Sequence, residues 1–156
     1  MLRLSRAGAS QQAWLGLLIS LAATLTGCDH GPQVVPVEGT VYYNDEPLPF
    51  GSVMFQPQMG QPAGARLNED GTFELSTFSE FDGAIVGQHK VKVTCYASQS
   101  PQIENKKSVG EQTLGPSLIP EKYTYSDQSG LSVEILSVGN QPIELRLTGP
   151  PLKLPR

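Results

Sequence analysis

The chain has 156 residues, 15 acidic against 11 basic, and a formal charge of −4, which argues against a polyanionic partner such as nucleic acid. Its length suits one ordinary domain with a core of its own. Thirteen prolines and 16 glycines, with only 17% charged residues, argue against long helices and favour strands joined by turns.

In chain order, residues 1–6, "MLRLSR", carry Arg3 and Arg6. The polar stretch "AGASQQ" follows, then a charge-free apolar run over 13–25. A membrane-spanning helix needs about 20 apolar residues, so this run has the length of a signal-peptide core. Directly after it stand Leu25, Thr26, Gly27 and Cys28. Small residues at Thr26 and Gly27 let an extended backbone enter a narrow peptidase site, and the thiol of Cys28 is a good nucleophile for taking up a lipid. The arrangement resembles the bacterial lipobox. That resemblance implies a diacylglyceryl group on Cys28, cleavage just before it and acylation of the new N-terminus. An N-terminal signal helix over 1–27 is therefore expected to be removed. The rest is expected to be exported and held by its lipid at the periplasmic face or the cell surface. Two acyl chains, at roughly 0.8 kcal/mol per buried methylene, anchor a protein stably where one does not.

Cleavage would also remove Arg3 and Arg6, leaving a more acidic chain. Such a surface is repelled by anionic headgroups, so the anchor has to supply the membrane binding. Residues 28–35, with Asp29, His30, Gly31 and Pro32, are expected to form a short tether.

Strand signals fill the remainder. Residues 37–43 and 50–56 are rich in β-branched and aromatic residues and are expected as a hairpin-like pair. Residues 65–78 alternate around Asp70 and Gly71, a dipeptide suited to the positive φ angles of a tight hairpin. A bend at Gly87 precedes a long strand over 88–96, in which Val91, Val93 and Cys95 share one face, with Cys95 as a buried, unpaired thiol. Near the end, Leu131, Val133 and Ile135, then Ile143, Leu145 and Leu147, alternate around the turn "SVGNQP". About seven strands predict an all-β fold, a two-sheet β-sandwich over 36–149 with a tail over 150–156. Residues 97–120 are polar and aperiodic and are expected as a mobile loop, docked near its end by Leu118, Ile119 and Tyr123.

The segments "PVEGTVYYNDEPLPFGSVMFQP", "EDGTFELSTF", "GAIVGQHKVKV" and "LIPEKYTYSDQSGLSVEI" together resemble the small lipoproteins of planctomycete-type bacteria. The domain of those proteins is a carboxypeptidase regulatory-like, or transthyretin-like, β-sandwich of Ig-like shape. The likeness runs from Pro36 to about Thr148 and rests on Gly39, Pro47-Leu48, Gly51, Asp70-Gly71 and Gly87, with departures at Glu46 and His89. It implies a membrane-tethered domain with no established catalytic role.

The residues themselves offer little chemistry. Two histidines, His30 and His89, cannot assemble a three- or four-ligand site of imidazoles and thiolates, so neither metal nor cofactor is expected. No Gly-x-Ser-x-Gly elbow exists, and His89 is expected as an edge or outward member of its strand. Asn68 to Gly71 lacks carboxylates at the first and last positions of a calcium loop and is expected as a turn. The pairs Asp45-Glu46 and Glu80-Asp82 are expected as solvated loop tips, with weak calcium binding between them as the alternative if the fold brings the two loops to one end.

The expected function is that of a lipid-anchored, non-enzymatic envelope module with an interaction or structural role. Its partners would be the membrane, through the N-terminal lipid, and envelope proteins or polysaccharide. The alternative is a carbohydrate- or peptide-binding module that stacks ligands on Tyr42, Tyr43, Tyr123 and Tyr125.

Overall fold

Alternation at every second residue decides which side chains meet in this protein. The computed structural model describes residues 31–101, 114–138 and 140–153. They form ten strands: β1 (Val34–Val35), β2 (Glu38–Tyr43), β3 (Glu46–Pro47), β4 (Ser52–Pro57), β5 (Ala63–Arg66), β6 (Thr72–Glu74), β7 (Ala84–Ile85), β8 (Gly87–Thr94), β9 (Leu131–Ile135) and β10 (Ile143–Leu147). One sheet is built on β2, with β10 parallel along one side and β3 and β6 antiparallel along the other. The second runs β5-β4-β8-β9, antiparallel throughout. A two-stranded ladder, β1 with β7, stands apart. The fold is an all-β sandwich. Its strands exceed the expected seven because β1, β3 and β7 have two residues each, too few to leave an alternating pattern.

The inward residues of both sheets make the core. Val53 and Phe55 on β4 and Val91 and Val93 on β8 face Val41 on β2, Phe73 on β6 and Leu145 and Leu147 on β10. Phe55 and Phe73 meet across the sheets with ring centroids 5.9 Å apart. Burying each such ring contributes about 1.5–3 kcal/mol. Gly39 makes this packing possible, because a Cβ there would collide with the Phe73 ring and the Ile143 carbonyl oxygen.

His89 is buried, which corrects the outward placement expected for it. It shares the strand face of Val91, Val93 and Cys95, and its ring lies 6.1 Å from that of Phe55. The pleat, with its strict period of two, overrides the polarity of the side chain.

Two connections also differ from expectation. Residues 37–43 and 50–56 do not pair, because one side of β2 is taken by β3 and β6 and the other by β10. Instead β2 turns into β3 through Asn44 and Asp45, whose φ angles of 52° and 67° match the two-residue hairpin turn with both central residues left-handed. The chain then crosses to β4 in the facing sheet. At Asp70-Gly71 the hairpin has a three-residue loop: the Asn68 N–H donates to Thr72 O at 2.9 Å, and the Gly71 N–H to Asn68 O at 2.9 Å. Only Gly71 takes a positive φ, +77°. The flanking strands then part, β5 into one sheet and β6 into the other, joined again at the Gly64–Ser76 bridge.

Both ends of the aperiodic segment have structure. Ala97–Gln99 forms a 3-10 turn, and the Leu118 N–H donates to Cys95 O at 2.8 Å. Ile119 and Tyr123 are buried and Leu118 packs against the core, as the sequence suggests. Residues 102–113 lie outside the described residues.

Candidate functional site

Cys28, with Leu25, Thr26 and Gly27, lies outside the described residues. From Gln33 onward the chain is bonded to the sandwich. Gln33 O accepts the Val86 N–H at 3.0 Å, and Val34 and Val35 pair with Ile85 and Ala84. Strand register shows which end this is. Glu38 of β2 pairs with Glu74 of β6, Gly39 with Ile143 of β10, His89 of β8 with Pro57 of β4, and Gly87 with Ile135 of β9. Strands β4, β6 and β9 therefore finish, and β2, β8 and β10 begin, at the end where residues 31–33 enter.

The loop over 76–83, between β6 and β7, is built around Asp82. Its Oδ1 accepts the Thr77 N–H at 2.6 Å, and its Oδ2 accepts those of Phe78 and Ser79, both at 2.9 Å. The Thr77 N–H, with help from the other two, holds the Asp82 carboxyl below its ordinary 3.8. Ser76 Oγ accepts the Phe81 N–H at 2.8 Å, and Thr77 Oγ1 donates to Gly83 O at 2.7 Å. Phe81 takes a φ of 58°, a costly conformation for an aromatic residue that these bonds maintain. Of the expected solvated pair, only Glu80 faces water freely, since the Asp82 carboxylate is spent on the loop backbone.

The four tyrosines do not gather on one face. Tyr43 is buried, with its hydroxyl donating to Pro150 O at 2.7 Å. Tyr123 is also buried; its hydroxyl accepts the Thr148 N–H at 3.1 Å and donates to Thr148 O at 3.3 Å. These two rings belong to the core and are not stacking platforms. Tyr42 points to the opposite face of β2 and is covered by the Arg146 guanidinium, 4.8 Å from the ring centroid. Arg146 is held there by Asp45 at 3.2 Å and Glu144 at 2.8 Å. Tyr125 alone stands largely exposed.

The remaining reactive groups are enclosed. His89 Nε2 donates to Ile85 O at 2.6 Å, which fixes the tautomer and leaves Nδ1 as a buried acceptor with no hydrogen-bond partner among the described residues. Burial pushes the Cys95 thiol up to about 12, far from thiolate at neutral pH. Among the described residues, no three His, Cys, Asp or Glu side chains are placed to share a metal ion, and no helix is long and apolar enough to cross a membrane. Phe81 lines a groove of about 300 Å³ with Pro36, Glu38, Glu74, Asn140 and Gln141. That groove joins the 76–83 loop to the entering chain and to the turn between β9 and β10.

Comparison of the chain with family models, with curated proteins and with solved structures finds no match.

Proposed function

We propose that this protein is a lipid-anchored, non-enzymatic β-sandwich of the cell envelope, acting as an interaction or structural module and held at the membrane by acyl chains on Cys28. The observation that carries the proposal is the charge-free run 13–25 ending on Leu25, Thr26, Gly27 and Cys28, a few residues ahead of the point where Gln33 is bonded into the fold. His89 and Cys95 both lie in the core, so neither is offered to solvent as a base or a nucleophile. The resemblance to small lipoproteins with transthyretin-like domains points the same way. No specific observation favours the carbohydrate- or peptide-binding alternative, since Tyr43 and Tyr123 are buried and Tyr42 is covered.

The test is expression of the full chain beside a Cys28→Ser variant in a bacterial host. The wild type should lose residues 1–27 and gain lipid mass on Cys28, and the variant, which keeps its apolar leader, should show neither change. Wild-type protein that carries no lipid on Cys28 would sink the proposal.

A further inference from the structure

Seven large apolar side chains stand exposed among the described residues: Met59, Phe78, Phe81, Leu114, Tyr125, Leu136 and Val138. Scattered singly they would need no explanation. Five of them, however, sit on three loops at one end of the sandwich. Met59 is on the β4–β5 loop, Phe78 and Phe81 are on the β6–β7 loop, and Leu136 and Val138 are on the β9–β10 turn. By strand register this is the end where residues 31–33 enter. The loops also touch one another's surroundings: Gly60 lies against the Ile85 side chain, and Phe81 shares its groove with Asn140 and Gln141. Leu114 and Tyr125 lie elsewhere, Leu114 beyond the far end of β8, where its carbonyl accepts the Ser98 N–H.

We infer that this end of the sandwich is a membrane-contact surface, with Met59, Phe78, Phe81, Leu136 and Val138 dipping into the interfacial layer of the bilayer that holds Cys28. The inference rests on the lipid-anchor reading. Five residue steps separate Cys28 from Gln33, and an extended chain gains at most about 3.6 Å per residue, so the lipid-bearing residue is held within about 18 Å of Gln33. An anchor that short brings this end, and not the opposite one, to the lipid. Exposed apolar side chains on a surface tethered so close to a bilayer are favoured at the headgroup–acyl boundary, about 5–10 Å into the interface.

The loops suit such a contact in two further ways. The three carry no Lys or Arg, and their outward carboxylate, Glu80, is joined by Glu38 and Glu74 at the neighbouring strand ends, so the contact offers anionic headgroups no attraction and leaves the affinity to the acyl chains and the five apolar side chains. The hydrogen bonds of Asp82 and Ser76 fix the 76–83 loop in advance, so presenting Phe78 and Phe81 costs little further ordering. The contact would set the orientation of the sandwich, with the opposite end, near Tyr123 and Thr148, facing away from the membrane.

The test uses the full chain, expressed so that Cys28 is processed and reconstituted into phosphatidylcholine–phosphatidylglycerol vesicles with brominated acyl chains. The one tryptophan, Trp14, lies in the part removed by processing, so Phe78→Trp and Phe81→Trp each supply a single reporter, and Leu114→Trp serves as the control. Phe78 lacks the left-handed backbone of Phe81, so the pair guards against a variant that disturbs the loop. The intact mass first establishes the lipid on Cys28. Emission from both reporters should then be blue-shifted and quenched at least about twofold relative to unbrominated vesicles, with the control unquenched. Lipidated protein whose reporters are quenched no more than the control overturns the inference and leaves the anchor standing. A blue shift without quenching would mean that a second copy or another protein covers the surface, and overturns it equally. Absence of lipid on Cys28 defeats the anchor reading, and this inference falls with it.

Discussion

The Asp82 carboxylate accepts the backbone N–H of Phe78 at 2.9 Å, so an acid that reads in the sequence as a solvated loop tip is the internal brace of the loop. Asp82→Ala leaves the N–H groups of Thr77, Phe78 and Ser79 without this acceptor. Amide-exchange protection at those three positions should fall while protection in β8 is kept. The carboxyl is held below 3.8 in the folded protein, so its contribution is present above that value and is lost as pH falls through the lowered folded pKa. Wild-type loop protection should therefore hold from neutral pH down to ordinary carboxylate pH and fade only below it. Equal protection in the variant and the wild type would show that Asp82 does not brace the loop.

Gly39→Ala places a methyl group against the Ile143 carbonyl oxygen and the Phe73 ring. Neither can retreat without opening the β2–β10 ladder or the core, so a loss of about 1–3 kcal/mol is expected in denaturant unfolding. An unchanged midpoint would mean that this close approach does not exist.

His89→Ala should cost about 2–4 kcal/mol, from the cavity beside Phe55 and the Ile85 carbonyl left without its donor. His89→Phe keeps the ring and should cost less. An outward-facing residue would give a change within about 0.5 kcal/mol for both variants.

How much of this was readable from the sequence depends on range. Val91, Val93 and Cys95 declare their inward face by simple alternation, and the docking of Ile119 and Tyr123 follows from apolar residues in a polar stretch. His89 continues the same alternation, but a polar side chain seen without its Ile85 acceptor reads as a surface residue. The turn ahead of Pro47-Leu48 is legible as turn chemistry, but the apolar runs on either side look like natural partners, and the two-residue β3 that β2 pairs with instead leaves no pattern. Their separation into two sheets is settled by competition for the edges of β2, which is a long-range matter. The apolar end is the extreme case. Met59, Phe81 and Leu136 are far apart in the chain and reach the same end of the sandwich only through the topology, whereas the lipobox-like motif at Cys28 is wholly local.

Thiol chemistry offers an independent check on both cysteines. With its pKa pushed up to about 12 by burial, Cys95 should be inert to maleimide at neutral pH in the native protein and react only on unfolding. A lipidated Cys28 contributes no thiol, so the unfolded mature protein should label once. Two labels after unfolding would indicate a free Cys28, and one label before unfolding would indicate an accessible Cys95.

The acyl anchor is tested by the mass of the N-terminal peptide of the membrane-derived protein. That peptide should begin at Cys28 and be heavier than its residues by a diacylglyceryl group, with or without a further acyl chain. A peptide with unmodified Cys28, or one that continues upstream through Gly27 and Thr26, would contradict it.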